Sequence, residues 1–205
     1  MKILITAGPT REKIDPVRFI SNYSSGKMGY SIAQAALESG HEVTLVSGPV
    51  AIMPPEGVTL IKVTSAAEMA EAVHSHASAA EVIIMTAAVA DYRPANPFDS
   101  KMKKLPGKLI LELERTEDIL GTLGANKRQG QILVGFAAET DDLEKNALGK
   151  LERKNLDWIA ANLVSDGFGT DTNTITLYNR AGDVIPVPHG AKIDVARAML
   201  KVILQ

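Results

Sequence analysis

Four stretches of the chain carry residue types suited to a charged, phosphorylated ligand. Ser24-Ser25-Gly26-Lys27 stands where a helical apolar periodicity begins. Hydroxyls and free backbone N–H groups at a helix start suit a phosphate or a carboxylate, though a plain N-cap followed by a solvated lysine fits the same residues. Thr86-Ala87-Ala88-Val89-Ala90-Asp91-Tyr92-Arg93 follows an apolar run. Its small residues let a ligand approach the backbone, and Asp91 can hold a ribose hydroxyl or, through water, a metal. Alanines packing a helix, with Asp91 capping a turn, is the competing account. Lys101-Met102-Lys103-Lys104 gathers three ammonium groups, and Lys150 and Lys154 share a helix face at i, i+4. Such charges suit a triphosphate, yet charge runs are more often solvated faces. Phe136 ends an aliphatic run, placed either to stack on a base or to fill the core. The histidines at 41, 74, 76 and 189 show no carboxylate partner pattern and read as surface or loop residues, so no zinc site is expected.

Two common glycine signatures are absent. A P-loop needs a glycine separated by four residues from Gly26-Lys27 and a Ser or Thr after them, but Ser21 and Met28 stand there. G-x-G-x-x-G does not follow the first strand, where the sequence is Ala7-Gly8-Pro9-Thr10. The chain has no cysteine, which excludes a disulfide framework, thiolate metal ligands and a cysteine nucleophile, and fits a reducing compartment. A net charge of −2 argues against a large basic surface, so no nucleic-acid partner is expected. No apolar run approaches the roughly 18 residues of a membrane span. The opening Met1–Thr6 reads as a strand rather than a signal peptide, because Gly8-Pro9 and the charges at 11–13 stop it. A cytoplasmic enzyme without a membrane partner is the expectation.

The elements that position these residues alternate strand and helix, which predicts an α/β fold: a Rossmann-like three-layer sandwich with a mostly parallel sheet and a small antiparallel extension. Strands are expected at Ile3–Thr6, Val43–Val46, Val58–Val63, Val82–Thr86, Leu109–Leu113, Ile132–Ala137 and Trp158–Ala161. Thr174–Tyr178 and Val184–Val187 form an expected antiparallel pair. Helices are expected at about Ser25–Ser39, from the capping box Ser65-x-x-Glu68 to Ala77, from Thr116-Glu117-Asp118 as an N-terminus with a capping oxygen and acids in the first turn, at Leu143–Lys154 and at about Ala191–Leu204. With no repeat, low-complexity tract or linker, residues 1–205 read as one domain. Open parallel sheets bind ligands beyond the carboxyl ends of their strands, and the long segments 7–24 and 87–107 lie there.

Beyond these readings, the sequence resembles phosphopantothenoylcysteine synthetase (phosphopantothenate–cysteine ligase) of the bacterial CTP-dependent type. The resemblance rests on Ile5–Arg11, Asp15–Arg18 and Ser21–Gly29, on Ala87–Arg93, on Lys-x-Lys-Lys at 101–104, on Gly135–Thr140, and on Lys154–Asp157 with Ala161-Asn162. It spans nearly the whole chain in order. The segment before Asp118 departs, with Thr116-Glu117 where relatives often carry Asn-Pro. The resemblance implies a ligase of coenzyme A biosynthesis that joins 4′-phosphopantothenate to L-cysteine at the expense of CTP, with Mg2+ as cofactor. It also implies a homodimer, and a decarboxylase as partner or fused half. Asn22 and Lys101 become the implied catalytic residues. Met85, Asp91, Lys101, Glu117, Asp118, Ile119, Leu120, Phe136, Lys150 and Lys154 become the implied nucleotide site. Asn22, Ser24, Ser25, Gly26, Lys27 and Ala88 become the implied site for the acid substrate. A nicotinamide-dependent oxidoreductase is the alternative from another enzyme class, but it lacks its glycine fingerprint and an acid after the second strand, where Ser47-Gly48 stand. A non-catalytic nucleotide-binding protein would leave Asn22 and the lysines idle.

Overall fold

The structure is a computed structural model that describes residues 1–104, 106–167 and 169–205. In chain order, β1 (Lys2–Ala7) leads into a small hairpin of β2 (Glu12–Lys13) and β3 (Phe19–Ile20). There follow α1 (Lys27–Glu38), β4 (Glu42–Ser47), β5 (Thr59–Lys62), α2 (Ala66–Ala77), β6 (Val82–Met85), β7 (Tyr92–Pro94) and β8 (Leu113–Arg115). The second half holds α3 (Ile119–Ala125), β9 (Ile132–Glu139), α4 (Leu143–Arg153), β10 (Trp158–Leu163), the single turn α5 (Val164–Gly167), β11 (Thr172–Asn179), β12 (Val184–Ala191) and α6 (Lys192–Ile203). An eight-stranded sheet has the order β12-β11-β10-β9-β6-β1-β4-β5. Pairings from β10 through β5 are parallel, and β11 and β12 add the antiparallel extension.

The period of two along each strand divides the core. Ile3, Ile5 and Ala7 of β1 turn to one face, where α1 and α6 supply Ile32, Ala36, Ala196 and Met199. Leu4 turns to the other, where α2, α3 and α4 supply Met69, Val73, Leu123 and Leu151. Ile5 lies between Leu45 of β4 and Ile84 of β6, and all three are fully buried, as a central parallel strand requires. The expected three-layer α/β sandwich is therefore present. The Ser65 hydroxyl accepts the Glu68 N–H at 3.2 Å, and the Glu68 carboxylate accepts the Thr64 N–H at 2.7 Å, which bears out the capping signal.

One expected strand is misplaced. Residues 109–112 form no strand; the ladder is β8, which begins four residues later at Leu113 and pairs antiparallel with β7. Leu109 and Ile110 are exposed, so their apolar alternation meets no surface in this chain, and the three-residue partner β7 limits pairing to 113–115. The hairpin of β2 and β3 and the turn α5 were not anticipated. Each has at most four residues, too few for a periodicity to register.

Gly29 sets how closely α1 lies on β1. A Cβ there would stand 2.6 Å from the Ala7 Cβ and 3.0 Å from the Thr6 carbonyl oxygen. Gly29→Val should lower stability by about 1–3 kcal/mol through overpacking. Urea unfolding monitored by circular dichroism checks this, and an unchanged midpoint would mean that α1 shifts away without cost.

Candidate functional site

Two cavities open at the carboxyl edge of the sheet and share a wall. The larger, about 500 Å³, lies between the ends of β6 and β9 and the starts of α3 and the 150–154 turn. The smaller, about 300 Å³, lies between the start of α1 and the ends of β9 and β10. Ala87, Val89, Asp91, Phe136 and Lys150 line both.

The wall is held by the segments that leave β1 and β6. They continue side by side past the sheet: Ala88 donates its N–H to the Gly8 carbonyl at 3.0 Å, and Thr10 donates to the Ala88 carbonyl at 3.2 Å. The buried Thr6 hydroxyl accepts the N–H groups of Thr86 and Ala87, each at 3.1 Å, and the Thr10 hydroxyl accepts that of Ala90 at 3.0 Å. The backbone at 86–90 is thereby fixed where alanines leave room for a ligand. Asn22 donates from its amide nitrogen to the Ala88 carbonyl at 2.6 Å and accepts the Ser24 N–H at 3.0 Å. It ties the α1 entry to the β6 loop with one amide hydrogen to spare. Asn22 stands beside the small cavity rather than on its lining.

The small cavity is lined by Ser24, Ser25, Gly26, Lys27 and Ala88, the expected acid-substrate residues apart from Asn22. Gly26, the residue before α1, has φ +78°, and no side chain caps the helix, so its first N–H groups keep an acceptor-seeking end towards the cavity. A Cβ at Gly26 would meet the Val50 side chain at 2.8 Å and the Gly8 backbone at 3.2 Å, so glycine is required for both reasons.

The large cavity gathers Met85, Asp91, Glu117, Asp118, Ile119, Leu120, Phe136, Lys150 and Lys154, every expected nucleotide residue except Lys101. Asp118 caps α3, accepting the Gly121 N–H at 3.0 Å, and also pairs with the Lys154 ammonium. Burial raises the Asp118 pKa, but the Lys154 and Gly121 hydrogen bonds outweigh it and hold the carboxyl below its ordinary range. Lys150, largely withdrawn from water, donates to the Phe136 carbonyl at 2.6 Å. Desolvation lowers its pKa, opposed by the Glu139 charge. Asp91 takes no side-chain hydrogen bond or ion pair among the described residues.

Lys101 is exposed and lines neither cavity. Its segment is nonetheless anchored: Asp15 accepts the N–H of Met102 at 3.2 Å and those of Val17 and Arg18 at 2.8 Å, while Arg18 donates to the Met102 carbonyl at 3.1 Å. His74 corrects the expectation that no histidine has a carboxylate partner. Its Nε2 lies 2.6 Å from the Glu117 carboxylate, joining α2 to the segment that precedes α3, which only the fold brings together. Thr116 stands outside the helix start expected of it: Asp118 is the cap, and Thr116 donates from N and Oγ1 to the Asp91 and Ala90 carbonyls, at 3.0 and 2.5 Å. Asn162, Asn173 and Lys192 likewise join the small cavity from the far end of the chain. No group of three His, Cys, Asp or Glu side chains suited to a metal occurs among the described residues, and no helix there is long and apolar enough to cross a membrane.

A doubly wound, mostly parallel sheet with two adjoining cavities at its carboxyl edge defines an α/β protein of the open-sheet, ligand-binding class. The chain belongs to the DNA/pantothenate metabolism flavoprotein C-terminal domain family, which matches residues 1–205, and the resemblance to phosphopantothenoylcysteine synthetases is borne out at that level. It is 52% identical over 97% of its length to the coenzyme A biosynthesis bifunctional protein CoaBC of Bacillus subtilis (strain 168), covering 50% of that protein. It is 48% identical over 97% of its length to CoaBC of Vibrio vulnificus (strain YJ016), covering 51%. The chain thus spans about half the length of these relatives. The crystal structure of a CoaBC C-terminal domain superposes with a TM-score of 0.85, at 51% identity over 98% of this chain and 93% of that one. A complex of the Cab2 H337A mutant with phosphopantothenate-cysteine shares the fold, with a TM-score of 0.81 at 21% identity over 99% of this chain and 85% of that one.

Asp15 is the test of how Lys101 is held. Burial raises its pKa, but the Val17, Met102 and Arg18 N–H groups, with the Arg18 guanidinium, hold it below the ordinary value. A depressed carboxylate contributes stability that is full above an unfolded pKa near ~3.9 and is lost as pH falls through the lower folded value. Asp15→Asn should flatten that acid limb in thermal melts and expose the 98–104 segment to trypsin at Lys101. An unchanged cleavage pattern would remove Asp15 from this role.

Proposed function

We propose that the chain is the ligase domain that activates 4′-phosphopantothenate with CTP and joins it to L-cysteine. The observation that carries this reading is the shared wall of the two cavities. A nucleotide in the large cavity and an acid in the small one would meet at Ala87, Val89, Phe136, Asp91 and Lys150.

A carboxylate needs a better leaving group before an amine can displace oxygen from it. In this reading the acid's carboxylate oxygen attacks the α-phosphorus of CTP, pyrophosphate leaves, and an acyl-cytidylate remains. The cysteine amine then adds to the acyl carbon, CMP leaves with the bonding pair, and the amine gives up a proton. Such transfers depend on positioning and on neutralising charge. The uncapped start of α1 with Ser24, Ser25 and Lys27 suits the substrate phosphate. Lys150 and Lys154 suit the triphosphate; Lys154 would exchange Asp118 for a phosphate oxygen. The start of α3 and Phe136 suit the sugar and base. The spare amide hydrogen of Asn22 suits the acyl oxygen, where charge grows during attack.

Mg2+ would suit the same cavity: the Asp91 carboxylate has no hydrogen-bond or ion-pair partner among the described residues, and Mg2+ on a triphosphate asks for only one or two carboxylates. Asp91 would be its protein ligand, and the ion would neutralise phosphate charge. Lys101, on neither lining in one chain, fits a role at a site completed by a second copy. The exposed Tyr92, Phe98, Leu109, Ile110 and Leu113 supply an apolar surface for that homodimer. A decarboxylase as partner or fused half fits a chain half as long as its bifunctional relatives. The cytoplasm is the proposed compartment.

The deciding assay supplies CTP, 4′-phosphopantothenate and cysteine together. CMP and pyrophosphate should appear in full turnover only with all three; equal rates with ATP would overturn the nucleotide assignment.

Lys150 supplies a second test. Lys150→Gln should slow the pyrophosphate-releasing step by on the order of 100-fold through loss of one charge-stabilising donor. Because burial lowers the Lys150 pKa, its ammonium is lost at a lower pH than an ordinary lysine's. Activity should therefore fall early on the alkaline side, and Lys150→Arg should move that limb to higher pH. An alkaline limb unmoved by Lys150→Arg would exclude Lys150 as the titrating group.

A further inference from the structure

Lys192 is a charge that the reading above does not use. It is the first residue of α6 and only 5% exposed, and it lines the small cavity opposite the start of α1. Its ammonium donates to the Gly167 carbonyl at 2.8 Å and to the Thr170 carbonyl. That leaves one of its three N–H donors unassigned. Among the described residues it has no salt bridge, and the nearby Asp171 is taken by Lys27 at 2.5 Å.

An ammonium withdrawn from water costs several kcal/mol unless an opposite charge meets it. Two carbonyl dipoles meet only part of that cost. Desolvation, with the Lys27 charge next, holds the Lys192 pKa below the ordinary lysine value against the opposing pull of Asp171. The small cavity is thus lined by Lys27, Lys150, Lys192 and a helix N-terminus against the one carboxylate of Asp91, while Asp171 is taken up by Lys27. A dianionic phosphate would restore the balance. A neutral hydroxyl in its place would leave the buried ammonium without a counter-charge.

We propose that Lys192 is a specificity-determining residue that reads the phosphate of the acid substrate and so selects the phosphorylated acid over the free alcohol. This rests on the small cavity being the acid-substrate site.

The test compares 4′-phosphopantothenate with pantothenate as acid substrate, in the unsubstituted chain and in Lys192→Gln. A hydrogen bond between charged groups is worth about 1.5–3 kcal/mol, or roughly 10- to 100-fold in affinity. The KM for 4′-phosphopantothenate should rise by that factor while the KM for CTP and kcat change by less than about twofold. The preference over pantothenate should shrink by the same factor, and Lys192→Arg should recover part of it. An unchanged KM, or an equal loss with both acids, would overturn the assignment by making Lys192 a clamp on the 167–170 loop alone. If the unsubstituted chain makes no amide from 4′-phosphopantothenate, the reading of the cavity falls with it. Should Lys192→Gln fail to fold, a crystal structure of the unsubstituted chain with 4′-phosphopantothenate decides. A phosphate oxygen about 3 Å from the Lys192 ammonium is expected, and a phosphate bound elsewhere overturns the proposal.

Discussion

The parallel pairing of β1 with β6, carried past the end of the sheet, is the constraint on which the site depends. Strands usually separate where their ladder stops, and the loops that follow find their own partners. Here Gly8 and Thr10 go on exchanging hydrogen bonds with Ala88, and the buried hydroxyls of Thr6 and Thr10 take three further N–H groups from 86–90. Two loops that could each move alone become one rigid wall. Asn22 then uses the same Ala88 carbonyl to fix the entry to α1. Removing that carbonyl's environment would loosen both cavities at once.

Electrostatics is arranged on this scaffold by burial rather than by sheer number of charges. Lys150 and Lys192 are both withdrawn from water, both bonded to backbone carbonyls, and both lowered in pKa by desolvation. Exposed lysines on a surface helix would be screened within about 10 Å at moderate salt. The same charges half-enclosed by protein act on a ligand with much less screening. This is how a chain of net charge −2 can present a cationic small cavity, lined by Lys27, Lys150 and Lys192 against Asp91. Lys154 differs, since Asp118 holds it ready while also capping α3. One carboxylate thus positions both a helix and a cation beside the larger cavity.

The apolar residues at 92, 98, 109, 110 and 113 stand apart from both halves of the core. They cluster on the two segments that bracket the β7–β8 ladder, and β7 touches the small hairpin near β2. Within the chain these side chains have little to cover them.

The order of strands and helices was legible in the sequence because buried parallel strands are short apolar runs, and amphipathic helices repeat near 3.6 residues. Ile3–Thr6, Val82–Thr86 and Leu143–Lys154 needed nothing more. The caps at Ser65 and Asp118 are local hydrogen bonds, so the residues that make them stand within a few positions of one another. The clustering of Ser24–Lys27, Asp91, Phe136 and Lys150 followed from the rule that ligands bind beyond strand ends, joined to the family resemblance. Tertiary structure alone decided the rest. The alternation in Leu109–Leu113 predicts a strand, but pairing requires a partner, and the partner sits opposite 113–115. His74 meets Glu117, and Lys192 meets the Gly167 and Thr170 carbonyls, because segments distant in sequence are brought together on one sheet; neither pairing has a spacing that a linear pattern could reveal. Local hydrogen bonds and periodicity are written in neighbouring residues, whereas the burial of a charge depends on everything that surrounds it.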